Sequence, residues 1–141
     1  MKITENYCIT RKFRFSASHR LYIKHLSQEQ NFNIFERCSN IQGHGHDYTV
    51  EVRVKKNIDD ETAMVINHGN FNLIGIGIIE KLNFKWIDKD IKYFENIQST
   101  VENIGIYFWN QFKNAFGESL KYIKVWENKG SFFEYFEEKQ R

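Results

Sequence analysis

Three of the five histidines in the chain stand where their side chains could meet at one metal ion. His44 and His46 are two residues apart in the segment IQGHGHDYTV, so in a strand both rings point the same way, with Cα atoms roughly 6.6 Å apart. His19 ends another alternating segment, on the side of its apolar residues. If the two strands form a hairpin, three imidazoles can bind one ion and leave a tetrahedral position open, which is typical of catalytic zinc. Ordinary loop histidines are the competing interpretation of His44 and His46, and His19 on the inward face favours the metal.

Cys38 could bring a thiol to the same centre, because it precedes His44 by only six residues. A thiolate beside a divalent cation has a lowered pKa and can act as a base or a nucleophile. The competing interpretation is a buried, inert cysteine, which is the interpretation given to Cys8. His25 and His68 lack a comparable context and are interpreted as surface or structural residues.

Glu127 is an unusual residue for its position, since it has the parity of the apolar residues Ile123 and Val125 in the segment YIKVWEN. A carboxylate among aliphatic side chains is costly unless it is paired. It could form a structural salt bridge. It could instead accept two adjacent N–H groups of a ligand, as it would from a guanidinium or from a 2-amino-4-oxopyrimidine edge.

The composition places the chain among single-domain globular proteins, with the domain over residues 1–141. Of its residues 41% are hydrophobic and 16% aromatic, which is not the composition of a disordered chain. A net charge of +2 without a block of Lys or Arg argues against a nucleic-acid partner. The longest apolar run, 73–79, is too short to cross a membrane. Two cysteines and an N-terminus unlike a signal peptide predict a cytoplasmic protein.

Alternating and helical patterns predict an α+β fold. Segments 13–19 and 44–56 alternate as strands, and the polar stretch 24–40 between them reads as a loop with some helix. Residues 70–82 have helical spacing, weakened by Gly75 and Gly77. Residues 100–116 form a clearer helix, capped by Ser99 or Thr100 with Glu102 in its first turn. Two strands follow, joined by a turn at 128–130. The order ββααββ predicts an antiparallel sheet with helices on one face.

Five runs, taken in order, resemble the 6-pyruvoyl-tetrahydropterin synthase family: FSASHRL, LSQEQNFNIFERCSNIQGHGHDYTV, MVIN, STVENIGIYFW and KVWEN with FFEY. The long segment before Cys38 and the STVEN motif are more similar to the 6-pyruvoyl branch than to the 6-carboxy-tetrahydropterin branch. The resemblance implies the tunnelling fold, a four-stranded antiparallel sheet with two helices. It also implies trimers that pair into hexamers, with active sites between subunits.

The resemblance further implies a reaction and the residues that serve it. The family converts 7,8-dihydroneopterin triphosphate to 6-pyruvoyl-tetrahydropterin with loss of triphosphate, using Zn²⁺ as a Lewis acid and a cysteine that moves protons. The residues that match the zinc ligands are His19, His44 and His46. The residues that match the proton-abstracting cysteine, the glutamate that anchors the pterin and the second anchoring motif are Cys38, Glu127, and Thr100 with Glu102.

The chain departs from the family where a Leu-Asp-His motif completes the catalytic relay, because Asn83 and Phe84 replace the Asp and the His. Asn128 also follows Glu127 where the family has threonine. General acid–base groups contribute about 10²–10⁴ in rate, so the loss of the relay Asp and His should slow or change the reaction. Three hypotheses are compatible with that loss. The first is a 6-pyruvoyl-type lyase in which Cys38 is the base and Asp88 of another subunit replaces the relay. The second is a related enzyme on a dihydroneopterin derivative, of the 6-carboxy-tetrahydropterin or side-chain-cleaving type. The third is a non-catalytic pterin- or zinc-binding homologue.

Overall fold

A computed structural model describes residues 7–137, in which five strands form one sheet. The strands are β1 (Cys8–His19), β2 (His44–Lys55), β3 (Lys85–Trp86), β4 (Leu120–Asn128) and β5 (Ser131–Phe136). The helices are α1 (Gln28–Phe35), α2 (His68–Ile79), α3 (Ile87–Asp90) and α4 (Val101–Phe116). The sheet order is β3-β1-β2-β4-β5, and its four long strands pair antiparallel. The predicted α+β class is therefore confirmed.

The sheet differs from the predicted one in its fifth strand. The short strand β3 pairs parallel to the end of β1, where Ala17 faces Lys85 and Ser18 faces Trp86. The prediction of a four-stranded, wholly antiparallel sheet with two helices is wrong in that respect, and the helices α1 and α3 also add to the predicted order. Two residues have no measurable period, so β3 is set by its hydrogen bonds to β1 and not by its own sequence pattern. This strand brings segment 83–88 beside His19.

The β1–β2 hairpin is regular over its whole length and aligns the histidines. Its twelve pairs run from Cys8 opposite Lys55 to His19 opposite His44, without a register shift. Alternate residues of both strands are buried under the helices, as the period-two pattern predicts. Because the register is continuous, the last residues of β1 and the first of β2 meet at one end of the sheet.

Both long helices pack on the sheet face that carries the core. A Cβ at Gly75 of α2 would lie 2.0 Å from the ring of Phe13, and a Cβ at Gly105 of α4 would lie 2.3 Å from that of Phe133. Glycine at these two positions therefore lets the helices approach the aromatic rings of the sheet. Thr100 caps α4 by accepting the Asn103 N–H at 3.2 Å, as predicted. No helix within residues 7–137 is long and apolar enough to cross a membrane.

Candidate functional site

Three histidine rings meet where the β1–β2 hairpin ends. His19 pairs with His44 and Ala17 pairs with His46, so the backbone register places all three imidazoles on the inward face. The ring centroids of His19 and His46 are 5.0 Å apart, and those of His44 and His46 are 4.7 Å apart. These are the histidines that strand parity predicts to gather, while His25 lies in the turn between β1 and α1 and His68 begins α2.

His19 is held in one orientation and presents one free nitrogen. Its Nδ1 lies 2.8 Å from the carbonyl oxygen of Ser99, which can only accept, so Nδ1 carries the proton. The side chain is fully buried, and its Nε2 has no hydrogen-bond partner. Burial lowers the pKa of His19, which keeps the ring neutral. A buried, unpartnered imidazole nitrogen is an uncompensated acceptor, and a bound cation would satisfy it.

Cys38 reaches the centre from a short 3-10 helix, Glu36–Ser39, that follows α1. The carbonyl of Cys38 accepts the Leu21 N–H at 2.7 Å, which ties this loop to the chain just after β1. Its Sγ lies 3.6 Å from Nε2 of His46. The donor atoms of His19, Cys38 and His46 all lie within 4.8 Å of one another. Within residues 7–137, these three side chains form the group that could hold a metal ion. His44 is not in that group, although its ring centroid lies 4.7 Å from that of His46.

The electrostatics of the centre suit a cation. Burial, followed by the neighbouring His19 and His44, lowers the pKa of His46 to about 4, so its ring is neutral at pH 7. Burial, followed by the charges of Glu127 and Glu36, raises the pKa of the Cys38 thiol to about 11. Neutral imidazoles are the form that binds metals, and a nearby cation lowers a thiol pKa. The donor set of nitrogen and sulfur is one that zinc prefers, so the residues fit that ion.

Glu127 completes the centre from β4. Its Oε1 lies 3.7 Å from Nε2 of His46, a distance that would allow an ion pair, but the low pKa of His46 leaves that ring uncharged. Burial, followed by the charge of Glu102, raises the pKa of Glu127. The two predicted anchoring carboxylates therefore lie close enough to repel each other. A ligand that donates N–H groups to them would relieve that repulsion.

An open groove of about 940 Å³ runs along this part of the sheet. Its lining includes His46, Glu127, Trp126 and Phe84. Tyr48 also lines it, and the Tyr48 hydroxyl is buried without a hydrogen-bond partner. Sequence reasoning placed Tyr48 only on the apolar face of its strand, and no sequence signal distinguishes an orphaned hydroxyl from a satisfied one. The groove has room for a flat ring beside His46.

Asn83 and Phe84 form hydrogen bonds to the backbone of β1, and their side chains do not transfer protons. Asn83 Oδ1 accepts the Ser16 N–H at 3.0 Å, and the Phe84 N–H donates to the Ser16 carbonyl at 2.6 Å. Phe84 has a φ of 58°, in the left-handed region, and its side chain is 85% exposed. An exposed phenylalanine in this conformation is uncommon, because bulky side chains disfavour positive φ. The pair fastens the turn after α2 to β1.

Asp88 lies behind His19, in α3. One of its carboxylate oxygens accepts the Arg20 N–H at 2.6 Å, and the other accepts the Ser99 hydroxyl at 2.5 Å. Its predicted part in a relay from another subunit concerns an assembly and stays a prediction. Sequence reasoning considered Ser99 only as a helix cap and missed its carbonyl as the partner of His19. The Thr100 hydroxyl is occupied as the cap of α4, and its predicted contact to a ligand stays a prediction as well.

Comparison with known proteins decides the relationship. The sequence model of the family described as 6-pyruvoyl tetrahydropterin synthase matches residues 8–138. This chain belongs to that family. The human protein named 6-pyruvoyl tetrahydrobiopterin synthase is 40% identical over 121 residues, which cover 84% of this chain and 83% of the human one. The protein of that name from Poecilia reticulata is 42% identical over 121 residues, covering 84% of this chain and 82% of its own.

The fold of the family is shared as well. The structure of the Caenorhabditis elegans 6-pyruvoyl tetrahydropterin synthase superposes with a TM-score of 0.87 at 27% identity. The superposition covers 98% of this chain and 100% of the other. The resemblance stated from the motifs is thereby confirmed at the level of family and fold.

Proposed function

We propose that this protein is a zinc-dependent lyase that converts 7,8-dihydroneopterin triphosphate to 6-pyruvoyl-tetrahydropterin with release of triphosphate. The observation that carries the proposal is the convergence of Cys38, His46 and Glu127 within 3.7 Å contacts, beside the unpartnered Nε2 of His19. A base, a metal centre and a carboxylate for a pterin edge are then within reach of one bound molecule. The similarity to proteins named as 6-pyruvoyl tetrahydrobiopterin synthases supports the same substrate.

His19, His44 and His46 would hold the zinc, with Cys38 beside it. Bound zinc supplies a Lewis acid that polarises the side-chain oxygens of the substrate and favours the Cys38 thiolate. His19 offers its Nε2 because Nδ1 is committed to Ser99. The neutral state of His46 makes it available at pH 7 without loss of a proton.

Glu127 would orient the pterin by accepting two adjacent N–H groups with its two carboxylate oxygens. The Cys38 thiolate would then take a proton from a carbon of the substrate side chain, becoming a thiol. Loss of the proton from the carbon next to the ring turns the hydroxyl of that carbon into a carbonyl, and the ring C=N bond gains the two hydrogens, which gives the tetrahydropterin. Loss of the proton from the second carbon expels triphosphate, which takes the electron pair of its C–O bond, and leaves an enol. The enol hydroxyl gives up its proton as the terminal carbon takes one from the Cys38 thiol, which restores the thiolate and completes the pyruvoyl group. Because Asn83 and Phe84 cannot carry protons, Cys38 is the proton carrier that this centre supplies within one chain.

The proposal gives His44 and Cys38 different roles, His44 as a zinc ligand and Cys38 as the base, so substitutions at these residues test it. We expect His44→Ala to weaken zinc binding at least tenfold, and Cys38→Ser to retain zinc while losing triphosphate release. Zinc content by atomic absorption and release by phosphate-sensitive chromatography would be measured on the same samples. If Cys38→Ser lost the zinc and His44→Ala kept it, Cys38 would be a ligand, and its proposed role as base would be wrong.

The residues that stand at the two relay positions, Asn83 and Phe84, favour a second candidate function. Asn83 is fully engaged in backbone and side-chain hydrogen bonds, and the Phe84 ring offers no exchangeable proton. A protein with this centre could bind a pterin and zinc without turnover, or act on a different dihydroneopterin derivative. Pterin binding without triphosphate release, or a product other than the 6-pyruvoyl compound, would select that alternative.

A further inference from the structure

A chain of hydrogen bonds runs from Asp88 to the back of His19. Asp88 Oδ1 accepts the Ser99 hydroxyl at 2.5 Å, and the Ser99 carbonyl accepts the Nδ1–H of His19 at 2.8 Å. Asp88 Oδ2 accepts the N–H of Arg20, the residue after His19, at 2.6 Å. One carboxylate therefore holds both the backbone that follows His19 and the residue that fixes its ring.

The linked residues are buried, which makes the arrangement stiff. His19 and Ser99 are both fully buried, so neither can exchange these hydrogen bonds for water. The carbonyl at Nδ1 determines the tautomer, and the only ring nitrogen left is Nε2, which has no partner. Outer partners of this kind orient metal-binding histidines and fix which nitrogen carries the lone pair.

We propose that Asp88 is a positioning residue that, through Ser99 and the Arg20 backbone, fixes the orientation and tautomer of His19 for a metal ion at Nε2. This inference rests on the proposed zinc site and adds a residue that acts on that site through the orientation of His19. It gives Asp88 a task inside its own subunit.

Asp90 shows what a merely local carboxylate does on the same short helix. Its Oδ2 accepts the N–H of Trp86, the residue just before α3, at 2.8 Å. Asp90 thus closes a four-residue loop, whereas Asp88 reaches segments 68 residues and 11 residues away. Losing either carboxylate disturbs α3, but only Asp88 is connected to His19. Asp90→Asn is therefore the matched control for the structural effect of Asp88→Asn.

The experiment measures zinc affinity by competition with a chromophoric chelator, on metal-free wild type, Asp88→Asn, Asp90→Asn and Ser99→Ala. The asparagine amide keeps one acceptor for the Arg20 N–H and carries no charge, so the hydrogen bond to the Ser99 hydroxyl must reverse its direction or break, and neither contact is assisted by a charge any longer. We expect Asp88→Asn to lower zinc affinity about 10–100-fold, and Asp90→Asn to leave it within twofold. The thermal unfolding of each metal-free variant separates loss of fold from loss of metal binding.

A coupling measurement makes the pathway through Ser99 explicit. Ser99→Ala should lower zinc affinity, and the Asp88→Asn/Ser99→Ala double variant should lose much less than the product of the two single losses. Equal zinc affinities for Asp88→Asn and Asp90→Asn, or independent effects of Asp88 and Ser99, would overturn the positioning role. Failure of the wild type itself to bind zinc would instead overturn the proposed metal centre, and with it this inference.

Discussion

His46 lies between a thiol and a carboxylate, with Cys38 Sγ 3.6 Å and Glu127 Oε1 3.7 Å from its Nε2. All three groups are partly buried, and burial is the largest cause of the pKa shift in each of them. In each case burial favours the uncharged form, which suits His46 as a metal ligand but opposes the ionised forms of Cys38 and Glu127 that function requires. A cation and a ligand with N–H donors would compensate that cost at the moment of binding.

Glu127 should therefore destabilise the empty protein while serving the ligand. Because the pKa of Glu127 is raised in the folded protein, the protein is most stable when this carboxyl is protonated, below its pKa in the unfolded chain. That stability is lost as the pH rises through the folded pKa and the group ionises. The side chain introduced by Glu127→Gln is neutral at every pH, so this variant keeps that stability. We expect the metal-free variant to unfold at a higher temperature than wild type at pH 7, with the difference vanishing below about pH 4, near the usual pKa of a glutamate.

Thermal unfolding from pH 3.5 to 8 measures this, and binding of 7,8-dihydroneopterin to the zinc-loaded proteins measures the cost to function. The binding should weaken at least tenfold, because the amide replaces one acceptor by a donor. A variant that is less stable than wild type at pH 7 would show that Glu127 forms a stabilising pair in the empty protein.

At the scale of elements, helix α2 contains two glycines with opposite surroundings. A Cβ at Gly75 would collide with the Phe13 ring at 2.0–2.7 Å, whereas nothing lies within 4 Å of a Cβ at Gly77. Gly77→Ala should raise the free energy of unfolding by about 0.4–1 kcal/mol, since it lowers the entropy of the unfolded chain. Gly75→Ala should lower it by about 1–3 kcal/mol through overpacking.

Urea denaturation of the two variants gives both values under one set of conditions. Each variant is the control for the other, because the substitution and the helix are the same. Equal effects of the two substitutions would mean that α2 does not pack on β1 through Gly75.

The turn after α2 allows a direct test of the lost relay. Asn83→Asp can keep the acceptor for the Ser16 N–H, and Phe84→His adds an imidazole at a side chain that is 85% exposed and lines the groove. We expect the double variant to release triphosphate about 10²-fold faster than wild type, as a restored acid–base pair would allow. Phe84→Ala, which removes the ring without adding a proton carrier, should give no such gain.

The rate of triphosphate release at saturating substrate is the quantity to compare. An unchanged rate in the double variant would show that the groove has diverged beyond these two positions. The idea that Asn83 and Phe84 limit the present protein would then be abandoned.

Sequence alone predicted the hairpin face and the gathering of the histidines, because both follow from a period of two. It left open whether Cys38 joins the histidines or is an inert cysteine, because the Leu21–Cys38 hydrogen bond that positions its loop has no signal in the sequence. It could not show β3 either, since two residues carry no pattern. The role of the Ser99 carbonyl was also hidden, because a backbone oxygen leaves no trace in the identity of its residue.

At the scale of the whole molecule, the described sheet ends in edge strands that can pair with other chains. Strand β5 lies at one end of the sheet order and carries Phe132 and Phe136, which are 43% and 53% exposed. An exposed edge with apolar side chains is a template for pairing with another copy. We expect the protein to sediment as a trimer or hexamer of its 17.0 kDa chain, as the resemblance implies.

Sedimentation velocity at several protein concentrations measures the assembly directly. Charging the edge with Phe136→Glu should shift the population toward monomer, because pairing of this edge with another chain would take the carboxylate out of water beside apolar side chains. A wild-type protein that is monomeric at micromolar concentration would contradict the expectation of sites shared between subunits.

The proposed lyase activity is tested with zinc-loaded wild-type protein and 7,8-dihydroneopterin triphosphate, following triphosphate and the pterin product by chromatography. We expect release of triphosphate in step with formation of 6-pyruvoyl-tetrahydropterin, and no release after zinc is removed by a chelator. Tight binding of the substrate with no triphosphate released by the zinc-loaded protein would contradict the proposed activity.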